Sequence, residues 1–133
     1  MADVEFVRGL GIETVLSEDG RCEMALEVEE RHFSTAERVH GGVFFTLLDT
    51  AMGRAVISKL PEGRGCATIE AKINFFRPVQ TGRLVAVGRC VNLSKRLAYT
   101  EAELVDAEGR SIAKASGTFM LTDTYRQADR ERV

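Results

Sequence analysis

Histidine and cysteine are scarce in this chain, and their spacing excludes whole classes of chemistry. The 133 residues hold two histidines, His32 and His40, and three cysteines, Cys22, Cys66 and Cys90. An odd number of widely spaced cysteines with no CxxC pair gives no disulfide framework. Two histidines far from any cysteine pair give no recognisable zinc spacing. No metal and no cofactor are expected, and the cysteines read as small buried hydrophobes in a reducing compartment. Also missing is an apolar run long enough to cross a bilayer. The first ten residues carry Asp3 and Glu5 where a secretion signal carries bases. A cytoplasmic protein without a membrane partner is therefore expected. Nor does one sign of charge dominate: 18 basic against 20 acidic side chains leave a formal charge of −2. Such a balance offers no grip on a phosphate backbone, so nucleic acid is not expected as a partner.

What is present is the material of an ordinary globular domain, with 44% apolar and 29% charged residues. A chain of this length buries about two-thirds of its unfolded surface, so it needs no metal or cross-link to build a core. Residues 1–133 read as one domain ending in a polar tail, 122–133. A short helical pattern covers residues 3–10, with Val4, Val7 and Phe6 turned inward. Ile12–Leu16 and Cys22–Val28 read as strands around Glu18-Asp19-Gly20, because Asp-Gly supplies the positive φ that a tight hairpin needs. A polar loop, 29–38, leads to His40-Gly41-Gly42, and within it His32 reads as a surface residue. From Val43 to about Leu60 the period is helical, and Pro61-Glu62-Gly63 stops it. Alternating segments follow at Ala67–Phe76, with Ile69, Ala71, Ile73 and Phe75 on one face, then at Leu84–Leu93, Leu97–Val105 and Arg110–Leu121. The order is β-β-loop-α-β-β-β-β. At 100° per residue the apolar positions of the helix, Phe45 among them, fill an arc far wider than a surface helix needs. A curved antiparallel sheet wrapped around one long central helix, an α+β fold, accounts for that arc.

Two features on this helix point to chemistry. Asp49 lies at the edge of the apolar arc, and its neighbours three and four residues away, Phe45, Thr46, Met52 and Gly53, include no cation. It is either a solvated edge residue or a carboxylate held in place as a general base. His40-Gly41-Gly42 stands at the helix start. Glycines there let a ligand approach the backbone, and the first amides of a helix are free donors at its positive end, suited to an oxyanion. The bland alternative is a glycine-rich turn. Gly41 and Asp49 are eight residues apart, about 12 Å along the axis. One helix therefore does not bring both to the same carbon atom, whereas two antiparallel copies would. The spacing predicts a site shared across a homodimer, two per dimer.

The run from His40-Gly41-Gly42 through Asp49 to Ala55, together with Ile73-Asn74-Phe75-Phe76-Arg77-Pro78 and the strand order, resembles the hotdog-fold acyl-CoA thioesterases of the phenylacetate-pathway (PaaI-like) group, over roughly residues 10–121. The resemblance implies a hotdog fold, an acyl-CoA substrate hydrolysed to free acid and CoA, and a homo-oligomer, a dimer as the catalytic unit within a tetramer. It also implies roles. Asp49 would activate water or attack the thioester, the Gly41 amide would hold the oxyanion, His40 would orient the thioester, and Thr68 would assist the acid or the water. Ser34 stands where the family usually has asparagine, and its shorter side chain would contact substrate in its place. Gly42 and Phe45 would line the substrate site. Ser94, Lys95 and Arg96, in a turn between long strands, are implied near the CoA phosphates, with Arg77 a second basic option; as plain chemistry they are equally solvated turn charges. An apolar acyl pocket beside the helix would draw on Phe44, Phe45, Leu48 and Met52, all of which also serve as core.

Two other classes share this fold. Hotdog dehydratases and hydratases act on acyl thioesters through a histidine and a helix acid, but this chain lacks the proline-rich entrance that usually accompanies that histidine. A non-catalytic acyl-CoA sensor normally comes joined to a DNA-binding segment, for which 133 residues and a charge of −2 leave little scope.

Overall fold

The computed structural model describes residues 4–123. It begins with a short helix, α1 (Glu5–Gly9), followed by the hairpin of β1 (Glu13–Glu18) and β2 (Arg21–Glu27). Asp19 and Gly20 turn between these strands with φ of 45° and 83°, the left-handed pair that Asp-Gly predicts. A single 3-10 turn (Glu30–His32) precedes the long helix α2 (Gly41–Ile57). Then come β3 (Arg64–Phe75), β4 (Arg83–Leu93), β5 (Leu97–Val105) and β6 (Ser111–Asp123). All six strands join one sheet in the order β1-β2-β4-β5-β6-β3, every neighbouring pair antiparallel. This is the hotdog arrangement: a curved sheet around one helix. β6 continues two residues past Leu121, and the rest of the expected polar tail lies outside the described residues.

The buried residues of α2 recur as pairs four apart, Val43-Phe44, Leu47-Leu48, Ala51-Met52 and Ala55-Val56. They pack on the inner faces of the strands, where Met24, Leu26, Leu84, Ala98 and Leu104 are fully or almost fully buried. Phe44, Leu48 and Met52 thus belong to the core. Phe45 does not: it is 40% exposed. It lies one helical turn before Asp49, whose carboxylate meets Thr68 on β3, an edge strand of the sheet. The helix crosses β4 at such close range that a Cβ on Gly88 would stand 2.4 Å from the Ala51 carbonyl oxygen. Backbone on both sides leaves nothing free to yield. Gly88→Ala is expected to destabilise the fold by about 3 kcal/mol or more, read as a fall in the denaturant midpoint. An unchanged midpoint would mean that the helix does not sit this close to the sheet.

Three expectations are corrected. Val4 and Phe6 are exposed, and only Val7 of α1 enters the core, because five residues make a single turn with one inward face. His32 is not a surface residue but 2% exposed. The amide of Glu29 donates to its Nδ1 (2.9 Å), so the neutral ring carries its proton on Nε2 and donates to the Leu10 carbonyl (2.7 Å). Both ring nitrogens are satisfied, which is what permits burial. Ile69 does not share a face with Ala71, Ile73 and Phe75. Thr68 pairs with Phe119 and Glu70 with Thr118, so Ile69 is the extra residue of a β-bulge and is exposed.

Candidate active site

That bulge positions the acid. Phe119 faces the helix, and so does its partner Thr68; beyond the skipped residue Ala71, Ile73 and Phe75 pair with Gly117, Ala115 and Ala113 on the same inner face. With strict alternation Thr68 and Ile73 would lie on opposite faces. The extra residue lets β3 present a hydroxyl to the middle of α2 and apolar side chains to its start. The Thr68 hydroxyl donates to Asp49 Oδ1 at 2.9 Å. Asp49 is half-buried, with Phe45 one turn before it along the same edge.

At the start of α2 the amides are unequally used. His40 is the N-cap, in extended conformation (φ −62°, ψ 136°), and its Nδ1 accepts the Gly42 N–H at 2.8 Å. The His40 carbonyl accepts the Val43 N–H at 2.9 Å. Among the described residues the Gly41 N–H alone of these three has no acceptor. With Nδ1 occupied, a neutral His40 ring carries its proton on Nε2, a second donor beside Gly41. The cap is itself held in place, since the His40 amide donates to the His32 carbonyl at 2.8 Å. Nothing in a lone histidine within a polar loop signalled that His32 would anchor the next one.

Gly41 faces an open recess of about 280 Å³ lined by Arg38, Val39, Phe44, Phe75, Phe76, Arg77 and Pro78. Asp49 is not among its walls, so one chain keeps acid and amide apart, as their spacing required. The remaining residues fall to one end or the other. Ser34 lies in the loop before the helix, where its hydroxyl donates to the Arg38 carbonyl (3.2 Å) and accepts from the Ala36 amide (3.4 Å). Its reach is spent on its own loop. Ser94, Lys95 and Arg96 form the exposed β4–β5 turn, with both the amide and hydroxyl of Ser94 donating to the Leu97 carbonyl. Leu97 pairs with Met120, which pairs with Ala67. The turn therefore stands at the acid's end of the site. Arg38, two residues before His40, carried no signal that it would line the recess.

Cys66 approaches the site from β3, its thiol donating to the Gly53 carbonyl at 3.5 Å. Burial, and after it the negative charge of Asp49 and the nearby Cys90, push its pKa up to about 11 from 9.0. The folded chain thus holds this proton more tightly than the unfolded chain, so the associated stability is intact below about pH 9 and lost as pH rises toward 11. Alkylation of Cys66 by iodoacetamide is expected to be slow at pH 8 and faster in Asp49→Asn, which removes one of the causes. Equal rates in the two proteins would contradict this neighbourhood.

A curved antiparallel sheet around a helix that starts at HGG defines a class, the hotdog-fold proteins, which act on acyl thioesters by hydrolysis or by other routes. The comparisons agree. Residues 37–113 match the model of the thioesterase superfamily, and the chain belongs to that superfamily. A protein of Halobacterium salinarum that carries an esterase name is 32% identical over 122 residues, 84% of this chain and 81% of its own. Acyl-coenzyme A thioesterase 13 of Pongo abelii is 28% identical over 116 residues, 85% of this chain and 82% of its own. Among solved structures, a variant of the phenylacetic acid degradation protein PaaI from Thermus thermophilus is 30% identical, with a TM-score of 0.79 over 86% of this chain and 96% of that one. The likeness to the PaaI group therefore holds in sequence and in fold, and the chain is a thioesterase.

Proposed function

We propose that this thioesterase hydrolyses acyl-CoA at a site shared across a homodimer, Asp49 of one protomer facing Gly41 of the other. The observation that carries this reading is the division of labour on α2: a carboxylate fixed by Thr68 at 2.9 Å, and an unpaired amide two turns away in a separate recess. β3 supports it as well, being an edge strand of twelve residues with no neighbour on one side among the described residues. An exposed edge of that length is normally paired or covered. Two such dimers make the tetramer that the family resemblance implies.

The thioester carbonyl takes the Gly41 N–H, with His40 Nε2–H as a further donor. As the carbonyl carbon becomes tetrahedral, charge builds on its oxygen where those donors already point. Asp49 either removes a proton from the attacking water or itself attacks, forming a mixed anhydride with release of the CoA thiolate. Thr68 holds the carboxylate in one orientation by donating to Oδ1, which leaves Oδ2 for the reaction. Ser94, Lys95 and Arg96 stand at the acid's end, where the phosphates of CoA meet the protein. Phe45, exposed beside Asp49, borders the acyl path.

A thiol-release screen over a panel of acyl- and aryl-CoA esters tests the reading. Thiol release without formation or loss of enoyl absorbance at 260–280 nm is the expected result. Enoyl chemistry without thiol release would overturn it. In a single turnover with isotope-labelled water, label appearing in Asp49 marks the anhydride route.

A further inference from the structure

β3 runs antiparallel to α2, and this divides the site's residues between its two halves. Phe75 stacks near Phe44 at the helix start, with ring centroids 6.2 Å apart, whereas Thr68 meets Asp49 in its middle. The CoA-facing turn, 94–96, belongs to the acid's half. The Gly41 half has basic groups of its own: Arg77, which the resemblance offers as a second basic option for the CoA phosphates, and Arg38, which has no task in the reading above. Arg38 and Arg77 both line the recess. Arg21, Arg31, Arg64, Arg83 and Arg110 each meet a carboxylate. Among the described residues Arg38 and Arg77 meet none; neither do Arg8, Arg89 and Arg96, but only Arg38 and Arg77 line the recess.

Their placement is built rather than incidental. The Arg38 carbonyl accepts from both the amide and the hydroxyl of Ser34, closing a loop in which Glu37 adopts a φ of 56°. Arg77 is followed by Pro78 and is tethered by its amide to the Ile112 carbonyl. The two segments are joined directly, since the Val39 amide donates to the Val79 carbonyl at 2.9 Å. Two arginines are thus carried on connected backbone in the lining of a recess that they share with Phe75, Phe76 and Pro78. A guanidinium is a planar fork of donors matched to phosphate or carboxylate oxygens. We infer that Arg38 and Arg77 bind an anionic group carried by the thioester, either a phosphate of its CoA arm or a carboxylate at the far end of its acyl chain. The inference rests on the proposed thioester site and adds a charge preference to the Gly41 half.

Calorimetric titration with non-hydrolysable thioethers tests this independently of turnover. Three ligands are used: the pentyl thioether of CoA, the pentyl thioether of pantetheine, and the carboxybutyl thioether of pantetheine. Against wild type, the Arg38→Gln/Arg77→Gln double variant is expected to lose at least tenfold in affinity for one or both anionic ligands, relative to any loss for the neutral one. A selective loss for the CoA thioether identifies a phosphate, and a selective loss for the carboxybutyl ligand identifies a carboxylate. The inference is overturned if the neutral ligand loses as much, if the double variant binds both anionic ligands as wild type does, or if wild type binds neither. Thiol release by wild type from the matching esters is measured in parallel. Its failure would remove the proposed reaction while the titration still reports on the recess.

Discussion

Asp49→Asn is expected to lower thiol release by about 10²–10⁴-fold, the range assigned to a positioned general base, with the fold intact. Asparagine has the shape of aspartate, and its amide oxygen still accepts from Thr68, whose hydroxyl lies 2.9 Å from Oδ1 in the wild-type chain. The side chain sits half-buried at the helix edge, so the substitution opens no cavity. What disappears is the ability to take a proton or to attack. Steady-state thiol release, with the thermal midpoint as a control, checks this. Near wild-type turnover would remove Asp49 from the mechanism.

The second large effect comes from a backbone atom. Gly41→Pro is expected to lower kcat by about 10²–10³-fold, the cost of losing one oxyanion donor. Proline is well tolerated at the first position of a helix, since the amide it lacks has no partner within the helix. His40 already has the extended conformation that a residue before proline requires (φ −62°, ψ 136°). A Cβ at position 41 meets only the Phe75 ring, at 3.5 Å. The substitution therefore removes the N–H and little else. Gly41→Ala, which retains it, is the matched control and is expected to keep most of the turnover. If both variants behave alike, the amide is not the donor.

Much of this was legible in the sequence because the relevant signals are local. The Asp-Gly hairpin, the HGG start of α2 and its paired apolar positions each follow from one stretch of chain, and the strand order follows from alternation. The separation of Gly41 from Asp49 needed only the rise of a helix. The failures have a common cause in contacts between distant segments. Alternation placed Ile69 inward because a bulge leaves no mark in a period-two pattern. Phe45, named for the substrate site, was also counted in the enclosed apolar arc because helical angle says nothing about where the sheet ends. His32 was read as a surface residue because the groups that satisfy its ring, the Glu29 amide and the Leu10 carbonyl, are backbone. Arg77 was named as a basic option, but its pairing with Arg38 in one recess was missed for the same reason: the two lie 39 positions apart and their segments are joined by a bond between Val39 and Val79.

The shared site makes a quantitative demand on mixed dimers. When Asp49→Asn and Gly41→Pro protomers are exchanged at equal concentration, half the dimers are hybrids, and each hybrid holds one site with both defects and one with none. Two preparations that are nearly inactive alone are therefore expected to recover about a quarter of wild-type activity on mixing. If mixing restores nothing while mass spectrometry shows that hybrids have formed, acid and amide do not meet across the two chains.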